Sequence, residues 1–132
     1  MMLPIREIEE LASARFREAS LLFAAKEYDG AAYLCGYAVE LTLKAKICAN
    51  LHWQGYPESS KEFERLSSIR VHHLATLLDF TGLQEIVRTK YQVHWSNVKD
   101  WSPVGRYNRI GTVSADRART MLAAAAFFVT RL

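Results

Sequence analysis

The stretch Asp29–Leu51, DGAAYLCGYAVELTLKAKICANL, limits this chain's folds more than any other. It reads as one helix, apolar almost all the way round, with Asp29 as a side-chain cap. Ala31, Leu34, Ala38, Leu41, Ala45 and Cys48 recur at three- and four-residue steps on one face, and Val39, Leu43 and Ile47 fill a second. More than one neighbouring helix must cover such a surface, so the stretch belongs at the centre of a helical bundle. Its middle carries only three charges, Glu40, Lys44 and Lys46. Glu40 precedes Lys44 by four residues, the favourable order for an ion pair on one helix. That pair either reaches solvent or a subunit boundary as a modest salt bridge, or lines a groove in which Lys44 meets phosphate.

The flanking segments supply the cover. Pro4 to about Glu27 reads as the first helix, with Pro4 near its first turn and an apolar stripe of Ile5, Ile8, Leu11, Ala12, Phe16, Ala19, Leu22 and Phe23. Tyr28-Asp29-Gly30 is then a short turn that makes the first two helices antiparallel. His52 to Pro57 breaks the second helix. Ser59 with Glu62 has capping-box spacing and opens a short helix to about Leu66. His73 to Phe80 forms another short helix with Leu74, Leu77 and Leu78 facing inward. Thr81 with Gln84, a further capping-box pattern, opens one continuous helix through LQEIVRTKYQVHWSNVKDW. Trp101 to Gly111 lacks periodicity, and Pro103, Gly105 and Gly111 forbid a regular helix there. Thr112 or Ser114 caps a last helix that packs Ala118, Met121, Leu122, Ala125, Phe128 and Val129 inward. No alternation predicts a sheet. The expectation is an all-α, up-and-down bundle of four to five helices with an irregular Trp/Pro/Arg loop before the last one.

At 132 residues, the chain is expected to be one domain spanning 1–132. No apolar run reaches the roughly 18 residues a membrane span needs, and the N-terminus is acidic and amphipathic, unlike a signal peptide. Cys35 and Cys48 lie on one expected helix, roughly 20 Å apart by its rise, and cannot bridge. Reduced thiols and a cytoplasmic location are therefore expected, with no membrane association. The net charge of +3 permits an anionic ligand without requiring one.

There is no Gly-rich phosphate loop, CxxC or HExxH. His72 and His73 are adjacent, and on a helix would point about 100° apart, so no metal site and no cofactor are expected. The most informative polar stretch is the loop holding Lys99, Trp101, Arg106, Tyr107 and Arg109. Its arginines could clamp a phosphate while Trp101 and Tyr107 stack on a base. Alternatively, the aromatics plug the end of the bundle and the arginines are solvated. Arg88 and His94, six apart, are candidates for a metal-free RNA-cleaving pair, although six residues on a continuous helix separate them by about 120° in azimuth. Arg65 and His72 have a similar spacing, seven apart.

Taken together, Tyr28 to Leu41 (YDGAAYLCGYAVEL) with Leu43-Lys44-Ala45, then His73-Leu74 before Leu77-Leu78, then Trp101-Ser102-Pro103 with Arg106-Tyr107, resemble the HEPN superfamily (higher eukaryotes and prokaryotes nucleotide-binding domain). The GYAVE-L-LKA segment is the most specific part. The resemblance implies a four- or five-helix bundle that forms a homodimer. Nucleases of this family use an arginine followed, after four to six residues, by a histidine, in composite sites across the dimer. Arg106 stands at the arginine's place by order, and no histidine follows it, His94 being the last. This implies the branch that binds nucleotide or RNA, here through Lys44, Trp101, Arg106, Tyr107 and Arg109, or that partners a small nucleotidyltransferase in a toxin–antitoxin-like pair. Arg88-Thr89 with His94 meets the spacing upstream of that place, and implies as the alternative a metal-independent RNase toxin.

Overall fold

The computed structural model describes residues 2–57 and 72–132. The short helix expected from Ser59 to Leu66, and with it Arg65, lies outside the described residues. In order, the elements are strand β1 (Met2–Pro4), helices α1 (Ile5–Ala24) and α2 (Tyr28–Asn50), strand β2 (Gly55–Pro57), helices α3 (Leu74–Asp79), α4 (Gln84–Thr89) and α5 (Gln92–Val98), a 3₁₀ helix over Pro103–Tyr107, and helix α6 (Ala115–Arg131). The fold is an all-α helical bundle, with six α-helices among the described residues.

Helix α2 is the axis. It packs against α1, α3 and α6, and thirteen of its residues are buried, among them Ala31, Ala38, Val39, Leu43, Ile47 and Cys48. A helix covered on three sides needs apolar residues on each of them, which is what its sequence supplies. Burial also pushes the Cys35 thiol up to about 12 and the Cys48 thiol up to about 11, so neither is a nucleophile at neutral pH. Helix α1 turns Ile8, Ala12 and Ala19 inward, while α6 contributes Ala118, Met121, Ala124, Ala125 and Phe128.

Helices α1 and α2 stop in the same way. Lys26 (φ 63°) and His52 (φ 57°) take left-handed backbone just past the ends of α1 and α2. Glu27 N–H then donates to Leu22 C=O (2.8 Å), and Trp53 N–H to Cys48 C=O (2.8 Å), closing two Schellman turns without glycine. The first turn therefore falls at Lys26–Glu27, and Tyr28-Asp29-Gly30 is already helix.

That shift corrects the expected role of Asp29. It does not cap α2, whose N-cap is Glu27 without a side-chain bond. The Asp29 carboxylate instead accepts backbone N–H from Gly111 (2.6 Å) and Val113 (2.9 Å), latching the loop before α6 onto the start of α2. The Gly111 bond first, then the Val113 bond, holds its pKa below 3.8. Helix α6 is capped by Ser114, which accepts from Arg117 N–H (3.0 Å).

Three further expectations are corrected. A two-stranded antiparallel sheet exists, with Leu3 opposite Tyr56 and Pro4 opposite Gly55. Three-residue strands are too short to show an alternation. The helix expected to run on from Gln84 is broken at Lys90–Tyr91 into α4 and α5. There Thr89 Oγ donates to Glu85 C=O (2.8 Å), and Tyr91 N–H reaches back five residues to Ile86 C=O (3.1 Å); such back-bonding loosens a helix locally. The capping box of Thr81 and Gln84 does not form. Thr81 Oγ donates to Leu78 C=O and accepts from Leu83 N–H, making a turn, while Gln84 Oε1 is buried without a partner among the described residues.

Candidate functional site

One ridge of α2 organises the polar chemistry. Gly36, Glu40 and Lys44 are four apart, so they lie on successive turns of one face, about 6 Å from step to step. Each carries a residue that is distant in sequence.

Over Gly36 lies the Trp101 ring. A Cβ at Gly36 would sit only 2.1 Å from its atoms, so no other residue type fits under this tryptophan. Tyr33, one turn earlier, flanks the same ring at 5.8 Å between centroids. Trp101 Nε1 is buried with no hydrogen-bond partner among the described residues.

Glu40 is 3% exposed, a carboxylate on the core-forming helix. Burying it without partners would be costly, and two are seen among the described residues. Lys44 Nζ donates to Oε2 (3.1 Å), and His72 Nδ1 lies 3.0 Å from Oε1 and 3.1 Å from Oε2. A carboxylate that accepts here assigns the proton to Nδ1 and leaves Nε2 outside the contact. The His72 side chain is 63% exposed, against 14% for Lys44.

Lys44 itself lies beneath Tyr56, its ammonium 5.0 Å from the ring centroid. Tyr56 reaches this position because β2 pairs with β1 beside the bundle. Burial first, then the Glu40 carboxylate, push the Tyr56 phenol well above its ordinary range. Tyr37 is raised by burial and by Glu40, with Arg15 partly opposing.

Two clefts meet at His73, the residue after His72. The first, about 370 Å³, is lined by His72, His73, Ser102, Pro103, Val104 and Tyr107. The second, about 380 Å³, takes Arg88, Gln92, Ser96 and Lys99 from α4 and α5 and the turn after them, with Trp95 and Asp100; His73 and Ala75 line it from the start of α3. His73 belongs to both, its Nδ1 3.2 Å from Thr76 Oγ. Ser102 caps the 3₁₀ helix by accepting from Val104 N–H (3.2 Å).

The sequence-derived site residues divide accordingly. Glu40 and Lys44 form the expected pair, but deep in the bundle and tied to His72 and Tyr56. Trp101 is seated on Gly36, whereas Tyr107 in the adjoining cleft is 76% exposed. Arg109 is exposed, and its carbonyl accepts from Thr112. Arg106 lies in the 3₁₀ helix, its side chain outside what is described. Arg88 and His94 are turned to different neighbours: Arg88 Nη1 pairs with Asp79 (2.9 Å), while His94 stacks on Phe127 at 4.4 Å, against α6. Arg88 lines the second cleft and His94 lines neither. Sequence reasoning weighed His72 only for metal or an arginine pairing, and missed Tyr56, Gly36, Gln92 and Ser96. The one signal that pointed here was an acid in the middle of an apolar helix, which must find partners.

Among the described residues, no group of three or more His, Cys, Asp or Glu could hold a metal ion, and no helix is long and apolar enough to cross a membrane. Fold and site together define a helical bundle whose central helix carries a buried carboxylate paired with a lysine of the same helix and with an exposed histidine that lines one of two small clefts. No protein-family model, curated protein or solved structure matches the chain.

Proposed function

We propose that this protein is a noncatalytic HEPN-type module that binds the phosphate of a nucleotide or RNA. In this reading it acts in the cytoplasm as a homodimer, alongside a small nucleotidyltransferase in a toxin–antitoxin-like pair. The observation that supports the reading best is where GYAVE-L-LKA, the most specific part of the resemblance, sits. Its Gly36, Glu40 and Lys44 form the ridge that gathers Trp101, His72 and Tyr56. The same ridge seats Trp101, and the 3₁₀ helix that follows, which includes Arg106, puts Tyr107 in the lining of a cleft. In this reading Tyr107 is the stacking face, and Arg106 and Arg109 are the phosphate donors that the resemblance implies. In this reading Lys44 acts on the ligand through Glu40 and His72, because its own ammonium is already engaged.

The test is a titration of the purified protein with mononucleotides and short RNA, beside Arg106→Ala. Binding that the variant loses while keeping its helical signal supports the proposal; binding to neither ligand refutes it. Incubation with total RNA in chelator, beside His94→Ala, addresses the alternative. Cleavage that His94→Ala abolishes would establish an RNase that uses His94, and would make the noncatalytic reading wrong.

A further inference from the structure

We propose that the two clefts sharing His73 form one bipartite site for a small organic oxyanion. Its phosphate or carboxylate head would lie between Arg88 and Lys99, and its flat apolar body against Pro103 and Val104. This goes beyond the proposed function, because Arg88, Lys99 and Val104 play no part in it.

The volumes suit such a ligand. Each cleft, at about 370 and 380 Å³, is near the lower end of the range for small-molecule sites. Their chemistry differs in the way a two-part ligand needs. The Arg88 side offers guanidinium, ammonium, amide and hydroxyl donors from Arg88, Lys99, Gln92 and Ser96, against Asp100 as the one acid in the lining. Arg88 Nη1 lies 2.9 Å from Asp79 Oδ1, an ion pair between part-exposed side chains, and the same side chain lines the cleft. Because Asp79 and Asp100 offset the two cations, recognition here is by short-range donor geometry rather than by net charge. The other side is walled by Pro103, Val104 and Tyr107, with Val104 65% exposed. His73 stands between them. Its Nδ1 is engaged by Thr76, so Nε2 is the nitrogen left to meet the ligand where head joins body.

The experiment is a calorimetric titration with phenyl phosphate, inorganic phosphate, benzoate and phenol. Phenyl phosphate or benzoate should bind about tenfold tighter than inorganic phosphate or phenol, the gain expected from burying one ring. The tighter of the two identifies the head group. Lys99→Ala should weaken that ligand, and Val104→Ser should remove the advantage of the ring; both positions are exposed, so the fold is kept. Ring-bearing anions that bind no tighter than their halves, or binding indifferent to both variants, would overturn the site. Nucleotide binding that needs Arg106 but ignores Lys99 and Val104 would overturn this site and leave the proposed function standing. Ring-anion binding without nucleotide binding would do the reverse.

Discussion

Glu40 and Lys44 are the residues whose substitution most directly tests the physical picture of α2. Glu40 is 3% exposed and the Lys44 side chain 14%, at 3.1 Å from each other. Removing one partner of a buried ion pair typically costs about 3–5 kcal/mol, because the other charge is left without compensation. The partial exposure of Lys44, and the Tyr56 ring above it, place Glu40→Leu near the lower end, about 3 kcal/mol. Losing the exposed His72 contact adds at most about 1 kcal/mol. Lys44→Met removes the lysine partner of Glu40 and should cost about the same. The double variant Glu40→Leu/Lys44→Met replaces the pair by apolar side chains of similar size in an apolar setting. It should return to within about 1 kcal/mol of the parent protein. The assay is urea unfolding followed by circular dichroism on all four proteins, read as a double-mutant cycle. A single variant costing less than about 0.5 kcal/mol, or a double variant costing the sum of the singles, would refute a buried, mutually compensated pair.

Other consequences follow from contacts elsewhere. Gly36→Ala puts a methyl 2.1 Å from the Trp101 ring, so it should lower stability by about 1–3 kcal/mol and shift the tryptophan fluorescence; an unchanged spectrum would mean the ring is not seated there. The Asp29 carboxyl is held below 3.8, so its stabilisation is present above that pH and is lost as pH falls through the native value. Asp29→Asn should therefore flatten the loss of stability between neutral and acid pH, measured as urea midpoints, and an unchanged slope would remove the latch to Gly111 and Val113. Lys26→Gly, at φ 63°, should raise stability by about 0.5–1 kcal/mol by relieving left-handed strain, and a loss in thermal unfolding would count against the Schellman turn.

What could be read from the sequence was whatever depends on near neighbours along the chain. The apolar faces of Ala31 to Cys48, the inward stripe of α6 and the Ser114 cap follow from helical periodicity and from a side chain bonding three residues on. So does the Glu40–Lys44 pair. The strands could not be read, because β1 and β2 are three residues each and join segments some fifty residues apart. Nor could the break at Lys90–Tyr91, since Leu83, Val87, Trp95 and Val98 keep a helical rhythm on both sides of it. Asp29 misled for the same reason. Its residue type suits a cap, and only the fold brings Gly111 and Val113 to it.

The site divides along the same line, and the division explains why its polar heart lies on the most apolar helix. A glycine, a glutamate and a lysine at four-residue steps look like interruptions of a hydrophobic surface. In three dimensions each makes room for a partner that arrives from far along the chain: a ring needing a surface with no Cβ, an imidazole needing an acceptor, and a phenol over an ammonium. Hydrophobic packing alone would leave the loop after α5 and the start of α3 free to slide along α2, because such contacts have no direction. The hydrogen bonds to Glu40 and the close seat at Gly36 have direction. They set where His72, His73 and the 3₁₀ helix stand relative to one another, and so fix the shape of the cleft between them. The ridge is therefore the element through which substitutions inside the bundle would be felt at its surface.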